Sequence, residues 1–262
     1  MELAKGINVD LYPDVAAAGS LCDALGKALA ELGSPLHATA QINFIPFARA
    51  EGGSRFCQMY IAAHERLFIF DFWAKGVAYG RGSSSSLNDA AQAMHFWITE
   101  QPDIAQMQKR FSFFIPEEKA IAHEAGRAIE YQWERLRKHW ARDETKADAL
   151  APLPLIEAAM KQPELRQLFP FTSLYTLRFS RTTGYPFTND CPFAAPIGNG
   201  RFRVYRPSPP MGYGDPEQMD EVIGEGNTEE AVAMLVSHLP PNCGPAIEGT
   251  AEDLTAQQSC RL

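Results

Sequence analysis

No stretch of the sequence approaches the roughly 18 consecutive apolar residues that crossing a bilayer as a helix requires, which argues against a membrane span. Paired metal-type cysteines are missing as well. Cys22, Cys57, Cys191, Cys243 and Cys260 are odd in number, widely dispersed and never in C-x-x-C spacing, against both a zinc ribbon and a disulfide framework, so reduced thiols are expected. Positive charge is in the minority too, with 24 Lys and Arg against 32 Asp and Glu and a formal net charge of -8. That balance opposes general attraction to nucleic acid or to an anionic membrane and suits a basic partner. The N-terminal stretch MELAKGINVDLYPDVAAAG has Lys5 as its only cationic side chain and no continuous apolar run after it. It does not read as a signal peptide, and a cytoplasmic protein is expected.

What is present describes a folded body. Over 262 residues, 45% are hydrophobic and 21% charged, proportions too apolar for a disordered chain and ordinary for one large or two small domains. Residues 14–32 place Val15, Ala18, Leu21, Leu25, Leu29 and Leu32 three or four apart, predicting an amphipathic helix ended by Gly33. ATAQINFIPFARA, SRFCQMYIAA and RLFIFDFWA follow as strands, with Phe68, Phe70 and Phe72 on one side and Ile69, Asp71 and Trp73 on the other. A Gly- and Ser-rich turn, GRGSSSS, then leads to a helix capped by Asn88 or Asp89.

A unit of similar order starts near residue 152. LPLIEAAMKQ and PELRQLF read as helical, LYTLRFSRT and GRFRVYRP as strands, EVIGEG as a short strand and turn, and TEEAVAMLVSHL as a helix capped by Thr228. Gly80-Arg81-Gly82 corresponds to Gly224-Glu225-Gly226, and Ala91-Gln92-Ala93-Met94 to Ala231-Val232-Ala233-Met234. The expected fold is therefore α+β, two related units of helix, antiparallel sheet and helix. The boundaries are a first unit at 1–114, a connecting helix at 115–141, a linker at 142–153 and a second unit at 154–262. The connecting helix rests on Pro116 at a first helical position and on a stripe of Ile121, Ala125, Ala128, Ile129, Trp133, Leu136 and Trp140. At about 26 residues it would extend roughly 39 Å and clamp both units.

The residues with chemical potential gather in FPFTSLYTLRFSRTTGYPFTNDCPF, residues 169–193. As a strand it turns Tyr175, Leu177 and Phe179 inward and Thr176, Arg178 and Ser180 outward. GRFRVYRP turns Phe202 and Val204 inward and Arg203 and Tyr205 outward. Side by side, the two strands would gather Arg178 and Arg203 on one polar face with Ser180. Arg181 and Arg206 would join only if the strands end or bulge. Such a face holds a carboxylate or phosphate through bidentate guanidinium contacts, or is an ordinary solvated face paired with Asp and Glu.

Cys191, in the turn TNDCPF, is the one thiol placed to be presented as reactive; its nearest imidazole in the unit, His238, sits on a separate helix, and a buried thiol is the stronger reading. His64-Glu65 and His123-Glu124 lack the second histidine of a zinc helix, so no metal is expected. GRGSSSS lacks the lysine of a phosphate-binding P-loop, and capping turns are favoured there. No catalytic residue and no cofactor follow from these motifs.

PELRQLFPFTSLYTLRFSR, YPFTNDCPFAAP, GRFRV, EVIGEGNTEEAVAMLVSHLP and GPAIEGTAEDL together resemble a bacterial family of unknown function often labelled a natural product biosynthesis protein, over the last 100 residues or so. The resemblance brings no catalytic motif. It implies an enzyme or accessory protein of secondary metabolism as the alternative. The leading expectation, from the acidic charge and the missing catalytic and cofactor motifs, is a non-enzymatic protein-binding protein, specifically an immunity protein occluding a basic toxin domain.

Overall fold

A computed structural model describes residues 7–40, 47–141, 152–208, 220–241 and 243–259. The expected linker at 142–153 falls almost wholly outside these residues, as does the middle of the predicted strand ATAQINFIPFARA. The chain divides into two units, Met1–Glu124 and Ala125–Leu262. Each is α+β, with its own antiparallel sheet and its own apolar core.

In the first unit, α1 (Pro13–Ala18) and α2 (Leu21–Glu31) precede β1 (Ala38–Thr39), β2 (Phe47–Gly52), β3 (Arg55–Ile61), β4 (Phe68–Ala74) and β5 (Val77–Ser84). Then come α3 (Leu87–His95), which runs into a π-helical turn at Phe96–Glu100, α4 (Ile104–Arg110), β6 (Ile115–Pro116) and α5 (Glu118–Glu124). The strands lie in the order of the chain, β1 to β6, every neighbouring pair antiparallel. This meander follows from short connections between strands whose apolar residues alternate with polar ones. Phe68, Phe70 and Phe72 are buried as the alternation in RLFIFDFWA demands, and with Cys57 and Met59 of β3 they form the face packed against α2 and α3.

Gly80 and Gly82 of β5 lie on that same buried face. A Cβ at Gly80 would stand 2.5 Å from the Phe114 ring, and one at Gly82 2.7 Å from Phe70 and 3.1 Å from Phe113. The G-R-G of the sequence is therefore strand, its glycines leaving room for aromatic rings, and the helix cap after it is Ser86, which accepts from Asp89 N–H.

The second unit opens with α6 (Ala128–Ala141), α7 (Leu153–Ala159) and the single turn α8 (Pro163–Arg166), then β7 (Phe169–Ser173), β8 (Thr176–Ser180), β9 (Phe193–Gly198), β10 (Arg201–Arg206) and β11 (Glu221–Gly226). It closes with α9 (Thr228–Ser237) and α10 (Ala251–Ser259). The sheet order is β11-β10-β9-β8-β7. Leu177, Phe179, Ala194, Phe202 and Val204 turn to the side where Trp133 and Leu136 of α6, Leu155 and Ile156 of α7, and Ala231 and Leu235 of α9 complete the core. Asn227, one residue before the expected Thr228, caps α9, and Glu230 returns the bond to its backbone N–H.

Two expectations change. The single helix over 115–141 does not form: Ile115–Pro116 pairs with β5, α5 ends at Glu124, and Gly126 adopts a left-handed φ of 67° before α6 begins. Glycine takes that conformation without steric cost and stops a helix with it. The apolar stripe stops there too, since Ile121 is exposed and only Ile129, Trp133, Leu136 and Trp140 enter the second core. The two-unit likeness is also local. Strand followed by capped helix recurs as β5–α3 and β11–α9, but one sheet has six strands and the other five, with different helices before them, and a duplication is not confirmed.

Candidate functional site

The predicted polar face does exist on the second sheet, but its members are engaged. Leu177 pairs with Ala194 and Ala194 with Val204 across the sheet. Their chain neighbours Arg178, Phe193 and Tyr205 therefore form the next row, on the opposite face. The Arg178 guanidinium lies 3.7 Å from the centroid of the Phe193 ring, which stacks on Tyr205 at 5.0 Å. Its Nη1 donates to Asn189 Oδ1 at 3.1 Å, and Asp220 stands 3.9 Å away. Burial lowers the Arg178 pKa, partly opposed by Asp220.

Arg203 shares this face but lies on β10, with β9 between it and Arg178, so the strands are about 10 Å apart instead of adjacent. It donates through Nε to Glu225 Oε1 at 2.6 Å, its direct partner on β11. Arg206 pairs with Glu221 at the strand end. Arg181, past the end of β8, binds Asp190 at 2.8 Å. Four guanidiniums thus sit among carboxylates and an amide, which is the solvated-face alternative.

Ser180 departs furthest from its expected place in solvent. It points to the Arg178 side, as alternation requires, but the loop 181–192 folds over it and leaves it 0% exposed. Its Oγ accepts from Thr182 N–H at 3.0 Å and Thr188 N–H at 3.1 Å, so the hydroxyl is the hub of the loop. Phe187, from the same loop, stacks on Phe171 of β7 at 4.7 Å.

Cys191 is buried, and no imidazole meets it. Its Sγ lies 3.9 Å from Cys243 Sγ, with Asp190 Oδ1 also 3.9 Å away. The hydrogen bond with Cys243 and then burial push the Cys191 thiol far up, while the same bond and the Arg181 charge hold Cys243 below the usual thiol value against its own partial burial. The separation of 52 residues gave the sequence no means of joining these two. Among the described residues no three His, Cys, Asp or Glu side chains converge as a metal set, and no helix is long and apolar enough to cross a membrane.

A site that sequence reasoning passed over lies on the outer face of the first sheet. Asp71 occupies its centre, paired in register with Gln58 on β3 and Arg81 on β5. Gln58 Nε2 donates to Asp71 Oδ2 at 3.1 Å, whereas Asp71 Oδ1 is buried and has no donor. The Trp73 indole N–H favours the carboxylate, yet is not aligned and close enough to complete a hydrogen bond and is itself left without an acceptor. The face around this pair mixes charge with apolar surface: Arg49 lies beside Gln58 and exposed Arg81 beside Asp71 in register, while Tyr60, Ile69 and Ile115, all on the Asp71 side of the register, are 37%, 44% and 54% exposed. The alternation of Ile69, Asp71 and Trp73 was the available signal, and it reads equally as an ordinary solvent face.

Burial raises the Asp71 pKa above its ordinary 3.8, the Gln58 and Trp73 donors only partly opposing it. A folded-state pKa above the unfolded one means that the ionised form costs stability as pH rises through that range, and the cost disappears below the unfolded pKa. Asp71→Asn is therefore expected to raise the urea midpoint at pH 7, with the advantage vanishing below about pH 4. A pH-independent difference, or a loss of stability at pH 7, would show that the carboxylate is adequately partnered.

Residues 127–250 match the model of a family of unknown function (DUF6193). The match spans α6 to α9 and ends just before α10, and it bears out the kinship expected for the C-terminal part with a family of unknown function. It assigns no chemistry. Neither a curated protein nor a solved structure matches the chain significantly.

Proposed function

We propose that this is a non-enzymatic protein-binding protein, and that it acts as an immunity protein occluding a basic toxin domain. The observation that carries the binding reading is the outer face of the first sheet, where Tyr60, Ile69 and Ile115 are exposed on the same face as a buried carboxylate oxygen that completes no hydrogen bond, the Trp73 indole N–H only partly favouring it. An unsatisfied buried acceptor costs about 1–3 kcal/mol. A partner that laid apolar side chains on the isoleucines and tyrosine and aimed a lysine or arginine at Asp71 would remove that cost while burying apolar area. The net charge of -8 supports a basic partner, which it would steer toward encounter. The guanidiniums of the second unit support the same reading, since Arg178, Arg181, Arg203 and Arg206 each already have a side-chain partner within the chain.

Affinity purification of the full chain from its native host is the test, with Ile69→Arg as the discriminating variant. Ile69 points outward at 44% exposure, so the substitution leaves the core alone. The wild-type chain should retain a basic protein in stoichiometric amount, and Ile69→Arg should weaken it by at least about tenfold, as for a central interface residue. Asp71→Asn should bind more weakly while being the more stable protein alone, a combination that general misfolding does not produce. Retention of the partner at full affinity by both variants would overturn the assignment of the face. A biosynthetic activity lost on Arg178→Ala would overturn the non-enzymatic reading.

A further inference from the structure

Cys191 and Cys243 come from distant parts of the chain and meet where two segments of the second unit are tied together. Cys191 precedes β9, at the end of the loop that folds over Ser180. Cys243 precedes the stretch 246–251, which runs along that loop: Thr183 N–H donates to Ile247 O, Ile247 N–H to Arg181 O, Gly184 N–H to Gly249 O, and Ala251 N–H to Pro186 O. Gln167 holds the other side, accepting from Ala246 N–H through its carbonyl and donating from Nε2 to Cys243 O at 3.2 Å. These ties hold the segment that follows Cys243 against the loop that ends at Cys191, and the two sulfurs stand 3.9 Å apart. Cys243 is half-buried, Cys191 buried.

We propose that Cys191 and Cys243 form a redox-active dithiol, with Cys243 as the attacking thiol and Cys191 as the resolving one, and that small-molecule disulfides of the glutathione type oxidise it. The order of attack follows from access and charge. Cys243 is the less buried of the two, and the hydrogen bond with Cys191 and then the Arg181 charge hold its thiol down against burial and the Asp190 charge, so it supplies the thiolate. Cys191, buried behind it with its proton held, cannot meet a bulky disulfide but is in place to attack Cys243 once that sulfur is derivatised.

In the first step Cys243 thiolate attacks one sulfur of oxidised glutathione, forms the mixed disulfide and expels a glutathione thiolate. In the second, Cys191 passes its proton to a departing thiolate, its sulfur attacks Cys243 sulfur, and the second glutathione leaves. The protein dithiol loses two electrons and two protons, and one glutathione disulfide becomes two thiols. The product pins the loop 181–192 to the segment 243–251. This inference is independent of the partner-binding reading.

The test is exposure of the full, natively folded chain to oxidised glutathione, followed by intact mass and disulfide peptide mapping. The wild-type chain should lose the mass of two hydrogens and yield a Cys191–Cys243 peptide, with buried Cys57 still reduced. In Cys191→Ala the resolving thiol is gone, so glutathione should remain attached at Cys243 as a stable adduct. In Cys243→Ser the Cys191 thiol should react at least about tenfold more slowly, because it lacks an exposed entry point. Circular dichroism on both variants separates unfolding from lost chemistry, and reduction of the wild-type product should restore the starting mass. A stable mixed disulfide on the wild-type chain, pairing through Cys22 or Cys260 instead, or an unmodified Cys243 in folded Cys191→Ala would overturn the proposal.

Discussion

Trp133→Ala should destabilise the second unit by about 3–5 kcal/mol, the usual cost of deleting a buried indole. The side chain is 1% exposed, lies against Phe179 with ring centroids 6.1 Å apart, and donates from Nε1 to Arg166 O at 3.1 Å. The substitution therefore opens a cavity under β8 and removes the donor that Arg166 O uses at the end of α8. Against a total of about 5–15 kcal/mol for a domain, this is about a fifth of the stability or more. With a urea slope of about 2 kcal/mol/M, the midpoint falls by about 2 M.

The two units have separate cores, and the tryptophans divide between the units, Trp73 and Trp97 in the first and Trp133 and Trp140 in the second. Two unfolding transitions are thus the outcome to look for, and Trp133→Ala should move only the one that reports the second unit. A midpoint shift below about 0.5 M would mean that α6 does not anchor this core.

Helix α6 also shows how far the sequence could be read. Trp133, Leu136 and Trp140 recur at helical spacing, and that period correctly places them on one buried face. The same period continues back through Ala125 to Ile121, so it predicted one long helix. What periodicity cannot weigh is a single glycine with a left-handed backbone, and Gly126 supplies it. Strand assignment succeeded for a related reason. Alternation in β4 and β10 is a local signal with one burial face, and both strands bury the residues it indicates.

Sheet order was not local. The sequence offered β8 and β10 as neighbours, because FAAPIG between them carries a proline and two alanines and gives no alternation to read. Once β9 takes the place between them, Arg178 and Arg203 are held apart, and each finds a partner on a different element, Asn189 and Glu225. The carboxylates that neutralise the arginines lie between 9 and 42 residues away in sequence, at Asp190, Asp220, Glu221 and Glu225. No rule of spacing connects them. Asp71 was hidden by the converse problem: its alternation was read correctly, but alternation does not say which polar residue lacks a donor.

Ser180→Ala is expected to cost about 2–4 kcal/mol, although it removes one oxygen from a residue that the sequence places on a solvent face. The hydroxyl accepts two backbone N–H bonds, from Thr182 and Thr188, and lies 3.1 Å from Thr182 Oγ1. Both threonines are buried with it, so neither N–H can turn to water when the acceptor goes. Leaving a buried donor unpaired costs about 1–3 kcal/mol each, and partial loop relaxation keeps the sum below the full double penalty.

The effect also has a position. Thr188 Oγ1 accepts from Arg181 N–H, so the loop's first residue is tied through the same hub, and the loop in turn carries the segment 246–251 on its backbone. Hydrogen exchange should therefore show faster amides at Thr182, Thr183, Thr188 and Ile247 in Ser180→Ala, with protection in β10 and α9 unchanged. Ser180→Cys, close in size but a weaker acceptor, should fall between the two. If Ser180→Ala keeps slow exchange at Thr182 and Thr188, those amides have another acceptor and the hydroxyl is not what holds the loop down.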